Sequence, residues 1–147
     1  MFKNDKSEAT GKLPTELKNP QGKVVETREV KNLVVDDGLE FIASRMKDTT
    51  STAMSHMAIG TGSTAAAAAD TALGTEAARQ GLTSTTVTAN AVAYVASFAA
   101  GTGTGAITEA GILNASSGGS LLCRTVFSVV NKGASDSMTI TWTVTIS

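Results

Sequence analysis

Toward its end the chain alternates with period two. Met138, Ile140, Trp142, Val144 and Ile146 take every second position, and Thr139, Thr141, Thr143 and Thr145 fill the places between. Successive side chains of a strand point to opposite faces, so this segment predicts a half-buried antiparallel strand. β-Branched threonine suits the solvent-facing pleat. Trp142, at the centre of the apolar face, is the expected core anchor. Such a strand needs antiparallel neighbours and a second layer over its apolar face.

Candidate neighbours follow from the same alternation and from glycine punctuation. Met54 to Ile59 reads as a short strand stopped by Gly60-Thr61-Gly62. Val92, Tyr94, Ala96 and Phe98 share one face of a strand that ends before Gly101-Thr102-Gly103-Thr104-Gly105. Ile107 to Leu113 and Leu121 to Val130 flank a turn at Ser117-Gly118-Gly119, and Lys23 to Val30 is extended. The segment from Asp36 to Lys47 predicts a helix. Asp36 or Asp37 is placed to cap it, Leu39, Ile42 and Met46 lie on its apolar face, and Arg45 and Lys47 stand near its C-terminal end. The expected class is all-β, mainly an antiparallel β-sandwich of jelly-roll or Greek-key type. It carries one short α-helix and an extended N-terminal arm. Residues 63–81, with the alanine run 65–69, break the strand rhythm and predict a long excursion that a function or a partner would use.

Charge divides the chain. Residues 1–48 hold 18 of the 25 charged side chains, 9 of each sign. The body holds Asp70, Glu76, Arg79, Glu109, Arg124, Lys132 and Asp136. Residues 1–22 are too polar to offset their ordering entropy alone and predict an arm that orders on a partner, with Phe2, Leu13 and Leu17 as candidate partner-binding anchors. Residues 23–147 then form a single β-sandwich domain, and 147 residues suffice for one core. A net charge of −1 argues against a nucleic-acid partner. No segment has the roughly 20 apolar residues of a membrane helix, so no membrane partner is expected. The start of the chain lacks the apolar stretch of a secretory signal, which predicts a chain made in the cytoplasm.

Catalytic chemistry is poorly supplied. His56 is the only histidine, Cys123 the only cysteine, and no Gly-x-Ser-x-Gly elbow is present. Neither glycine-rich run carries the Lys-Ser/Thr of a phosphate loop, so both read as turns. Asp36 and Asp37 read as helix caps before they read as a carboxylate pair. We therefore expect no enzyme, no catalytic residue, no metal and no cofactor. A lone charge in an apolar strand is costly unless paired, so Glu109 is expected to meet Arg79 or Arg124 in a structural or intersubunit ion pair.

The order of several motifs resembles that of small tailed-bacteriophage virion proteins. It runs from Asn32-Leu33-Val34-Val35-Asp36-Asp37-Gly38-Leu39 to Met57-Ala58-Ile59-Gly60-Thr61-Gly62. Next come Asp70-Thr71-Ala72-Leu73-Gly74-Thr75-Glu76 with Arg79, then Ile107-Thr108-Glu109-Ala110-Gly111-Ile112-Leu113. Gly118-Gly119-Ser120-Leu121-Leu122-Cys123-Arg124 and the threonine-alternating strand complete it. The resemblance spans residues 32–147 and brings no catalytic residues. It implies a structural protein of the virion, a capsid cement or decoration protein on the outer surface of the major capsid protein lattice that bridges capsomers as a homo-oligomer, dimer or trimer. The alternative is a tail-tip or tail-fibre-associated protein. A small carbohydrate-binding domain is disfavoured, because Trp142 and Tyr94 are the only residues of the kind that commonly face sugars.

Overall fold

The terminal alternation folds as the pattern requires. In the computed structural model, which describes residues 10–47 and 52–146, the last strand buries Met138, Ile140, Trp142 and Val144 and leaves the threonines between them half-exposed. Among the described residues, nine strands and one helix follow in chain order. They are β1 (Thr10–Lys18), β2 (Val24–Val34), α1 (Asp36–Arg45), β3 (His56–Gly60), β4 (Glu76–Gly81), β5 (Ser84–Thr88), β6 (Ala91–Phe98), β7 (Gly105–Leu113), β8 (Leu121–Lys132) and β9 (Ser137–Thr145).

The strands join in the order β4-β3-β7-β8-β2-β1-β9-β6-β5, every pair antiparallel. The sheet doubles over at its narrowest link, where β2 meets β8 only through Leu33↔Arg124 and Val34↔Cys123. That divides it into two layers, an all-β sandwich with one short helix. β1–β2, β3–β4, β5–β6 and β7–β8 are neighbours consecutive in the chain, while β3–β7, β2–β8, β1–β9 and β6–β9 pair strands distant in sequence. Met57, Ile59, Ile107 and Ile112 from one layer meet Leu17, Phe98, Ile140 and Trp142 from the other in a single core. Leu82 and Thr83 carry the chain from β4, at one edge, to β5 at the other.

Over its described residues, 10–22, the polar leader is not an arm. Its residues 10–18 form β1, an inner strand between β2 and β9. Leu17 is 4% exposed and belongs to the core, so it anchors this domain rather than a partner. Leu13 is paired through its backbone with Val30, and Phe2 lies outside the described residues. The expected boundary at residue 22 falls in the turn of the β1–β2 hairpin, where Asn19 Oδ1 accepts the N–H groups of Gln21 and Lys23 and Gly22 takes φ 77°. Pro14 disguises the strand. The ladder from β1 to β9 skips Leu13 and Pro14, and a proline has no N–H to give. Leu13, Thr15 and Leu17 nonetheless alternate with Lys12, Glu16 and Lys18, the period-two signal that composition obscured.

The helix docks on only part of the expected face. Gly38 is its fully buried residue, and a Cβ there would strike the carbonyl of Leu122. Phe41 and Ile42 turn to the core, while Leu39 is 41% and Met46 87% exposed. Neither aspartate caps it: Val35 is the N-cap without a side-chain bond, and Asp37 instead accepts the N–H of Leu121 at 2.7 Å. Close approach to β8, made possible by Gly38, overrides part of the helix's own apolar stripe.

Candidate functional site

The described part of the excursion returns to one carboxylate. Glu109 sits on β7 opposite Gly60 of β3 and is fully buried. Its Oε1 accepts the N–H groups of Gly62 at 2.9 Å and Thr75 at 2.7 Å. Its Oε2 accepts the N–H of Gly74 at 2.9 Å and two guanidinium donors of Arg124, Nε at 3.0 Å and Nη2 at 2.8 Å. A side chain at Gly60 or Gly62 would collide with this carboxylate, which explains the Gly-Thr-Gly run in terms of space rather than phosphate binding.

Arg124, on β8 and 2% exposed, carries the network outward. Its Nη1 meets Asp70 Oδ2 at 2.8 Å and its Nη2 the carbonyl of Thr64 at 2.9 Å. Asp70 Oδ2 also accepts the N–H of Ala67 at 2.9 Å. Two strand residues thus hold a loop at Gly62, Thr64, Asp70, Gly74 and Thr75, and Leu73 is tucked into a small apolar cluster with Val35, Ala58, Leu113 and Leu121. Burial pushes Glu109 upward, but the N–H groups of Thr75 and Gly74, the Arg124 guanidinium and the N–H of Gly62 outweigh it and leave its pKa lowered. Asp70 is lowered by the Ala67 N–H and by Arg124 against its own burial. Both carboxylates are held ionised.

Of the arginines considered for Glu109, the structure brings Arg124 to it and not Arg79. Arg79 forks onto Glu76, at 2.9 and 2.7 Å, and its Nη1 donates to the carbonyls of Ala115 and Gly118. Asp70, a lone charge in an uncharged stretch, joins the pair through Arg124. Lys132 is likewise buried, and its Nζ donates to the carbonyls of Ala99 at 2.9 Å and Asp136 at 2.8 Å. Desolvation lowers its pKa, and the charge of Asp136 counters in part.

Both Glu109 oxygens and all three Arg124 nitrogens are engaged within the fold. His56 Nδ1 faces Ser55 Oγ at 2.8 Å, and Cys123 is buried in the core. Among the described residues no group of His, Cys, Asp and Glu is placed to hold a metal. Trp142 is wholly buried, with Nε1 among the few buried polar atoms lacking a hydrogen-bond partner, and Tyr94 is 8% exposed with its hydroxyl pKa pushed up to about 12 by burial. Neither ring presents a face to a sugar. Compared with known proteins, the chain matches no family model, no curated protein and no solved structure.

Proposed function

We propose that this chain is a bacteriophage structural virion protein, a cement protein that binds the outer surface of the major capsid protein lattice and bridges capsomers. The observation that carries the reading is the clamped loop. Ala65, Ala67, Ala68 and Ala69 are exposed and uncharged, yet the loop bearing them is tied down by buried charges on both sides. A loop fixed before contact loses little conformational freedom on binding, so even small side chains on it yield net affinity. Four of the segments that carry the resemblance to phage virion proteins, at Gly60-Thr61-Gly62, Asp70 to Thr75, Glu109 and Arg124, converge in the clamp. With Leu17 in the domain's own core, the attachment surface passes from the leader to this loop.

The test is binding of the purified chain to expanded capsid shells, beside Ala65→Lys and Ala67→Lys. Both side chains are exposed, so the variants should melt like the parent but occupy shells less. Variants that decorate as tightly as the parent remove the loop from the mechanism. A handful of copies per virion rather than hundreds, with no shell binding, would replace the head location by the tail.

A further inference from the structure

The two edges of the nine-stranded array are finished differently. β4 carries Glu76 and Arg79, joined at 2.7 Å, and its ladder to β3 shifts register between Ile59 and Gly60. Charges and bulges are devices by which natural sheets keep other strands off an edge. β5 has neither. Ser84-Thr85-Thr86-Val87-Thr88 is uncharged, contains no proline and pairs with β6 in unbroken register from Ser84↔Val95 to Thr88↔Ala91. All five of its residues are exposed, Val87 to 70%, so among the described residues β6 is its sole strand neighbour and no opposing layer covers it. The chain carries no charged residue between Arg79 and Glu109, so β6 adds none beside it.

We infer that β5 is an assembly edge that pairs antiparallel with β5 of a second copy of this chain. The hydrogen bonding follows from the hairpin. The two-residue turn Ala89–Asn90 makes Thr88 and Ala91 the closing pair, and alternation then turns the N–H and C=O of Thr85 and Val87 outward. With a two-fold axis at Thr86, Thr85 of one copy faces Val87 of the other, and every outward group finds a partner. The side chains fit the same register, since Thr86 stands opposite itself and Thr85 opposite Val87, pairs of the β-branched kind that sheets favour. An isologous contact asks only that a patch complement itself, which an uncharged strand does. Nothing on β5 selects a foreign sequence by charge. The contact does not use the clamped loop, so it stands or fails apart from the function proposed above.

The experiment is sedimentation of the full chain over a concentration series, beside Thr86→Lys and Thr86→Glu. Both substitutions fall on an exposed position and leave the melting curve unchanged. Each sets like charges face to face across the axis, and self-association weakens by about tenfold or more. An equimolar mixture of the two variants restores a dimer containing one of each. Thr86→Cys forms a cross-linked dimer on a non-reducing gel, because directly opposed residues of a non-hydrogen-bonded pair lie within disulfide reach. A parent chain that stays monomeric throughout, or self-association that Thr86→Lys does not weaken, overturns the inference. So does a monomeric parent that accepts a strand of another protein at β5.

Discussion

Replacing Glu109 by alanine tests how the excursion is held. The carboxylate receives five N–H groups, three from the loop backbone and two from Arg124. Removing one partner of a buried ion pair typically costs about 3–5 kcal/mol, because the other charge is left without its counter-ion. Arg124 keeps Asp70 at 2.8 Å and the Thr64 carbonyl at 2.9 Å, which places the loss at the low end, about 3 kcal/mol. The N–H groups of Gly62, Gly74 and Thr75 also lose their acceptor. These residues are partly or fully exposed, so water reaches them once the loop lifts, and together they add about 1 kcal/mol. The sum, about 4 kcal/mol, is a large part of the 5–15 kcal/mol of a typical domain.

Urea denaturation of Glu109→Ala measures that loss directly, and limited proteolysis should show new cleavage within the alanine run 65–69. Glu109→Gln keeps the shape and one acceptor oxygen and should fall between the two proteins. A loss under about 1 kcal/mol, with the run still protected, would mean that the carboxylate does not hold the loop and would refute the reasoning.

Acid should act on the same clamp. Glu109 and Asp70 have folded pKa values below their ordinary 4.5 and 3.8, so the stability they supply is complete above those values and drains as pH falls through the lower folded ones; unfolding midpoints against pH in Glu109→Gln should show a shallower decline. Trp142→Ala should cost about 3–5 kcal/mol in chemical denaturation, while Thr141→Ala and Thr143→Ala, on the half-exposed pleat, should stay within about 0.5 kcal/mol of the parent. Deleting residues 2–18 removes an inner strand and Leu17 from the core, and circular dichroism should show loss of the cooperative melt; a truncated chain that melts like the parent would contradict the assignment of β1. Ala89 holds φ 52° in the β5–β6 turn, so Ala89→Gly should raise stability by about 0.5–1 kcal/mol, read from the denaturation midpoint.

Much of the β-architecture was legible because period two leaves few alternatives once an apolar face is fixed. β9 was the clearest case, and β6 announced itself through Tyr94, Ala96 and Phe98. β1 was not, since average polarity and Pro14 outweighed a short alternation that needed β2 and β9 on either side to count. The helix was legible in place but only in part in orientation: its stripe of Leu39, Ile42 and Met46 carries less weight than the contact that Gly38 opens to Leu122. At the candidate site, the cost of an unpaired charge in a strand pointed to Glu109 and narrowed its partner to Arg79 or Arg124. The choice between them depends on the register of β7 against β8, where Arg124 stands opposite Gly111, two residues along the strand from Glu109. The backbone donors of Gly62, Gly74 and Thr75 have no side-chain signature, so they left no mark in the sequence.

The place of β1 governs how the chain can assemble as it is made. β1 finds β2 at once, but its other neighbour, β9, is the last strand of the order, and β2 waits for β8. At synthesis rates of about 5–20 residues per second, the first hairpin spends on the order of ten seconds with both its outer edges open. Loop closure over such separations also slows the search, as in other sandwiches dominated by distant pairings. The hairpin that waits is drawn from the first third of the sequence, which carries 18 of the 25 charges. Its solubility during that interval comes from those side chains, whereas the nearly uncharged β8 and β9 emerge when their partners already exist. A substitution that strips charge from β1 or β2 should therefore lower the yield of soluble protein before it lowers the stability of the folded one.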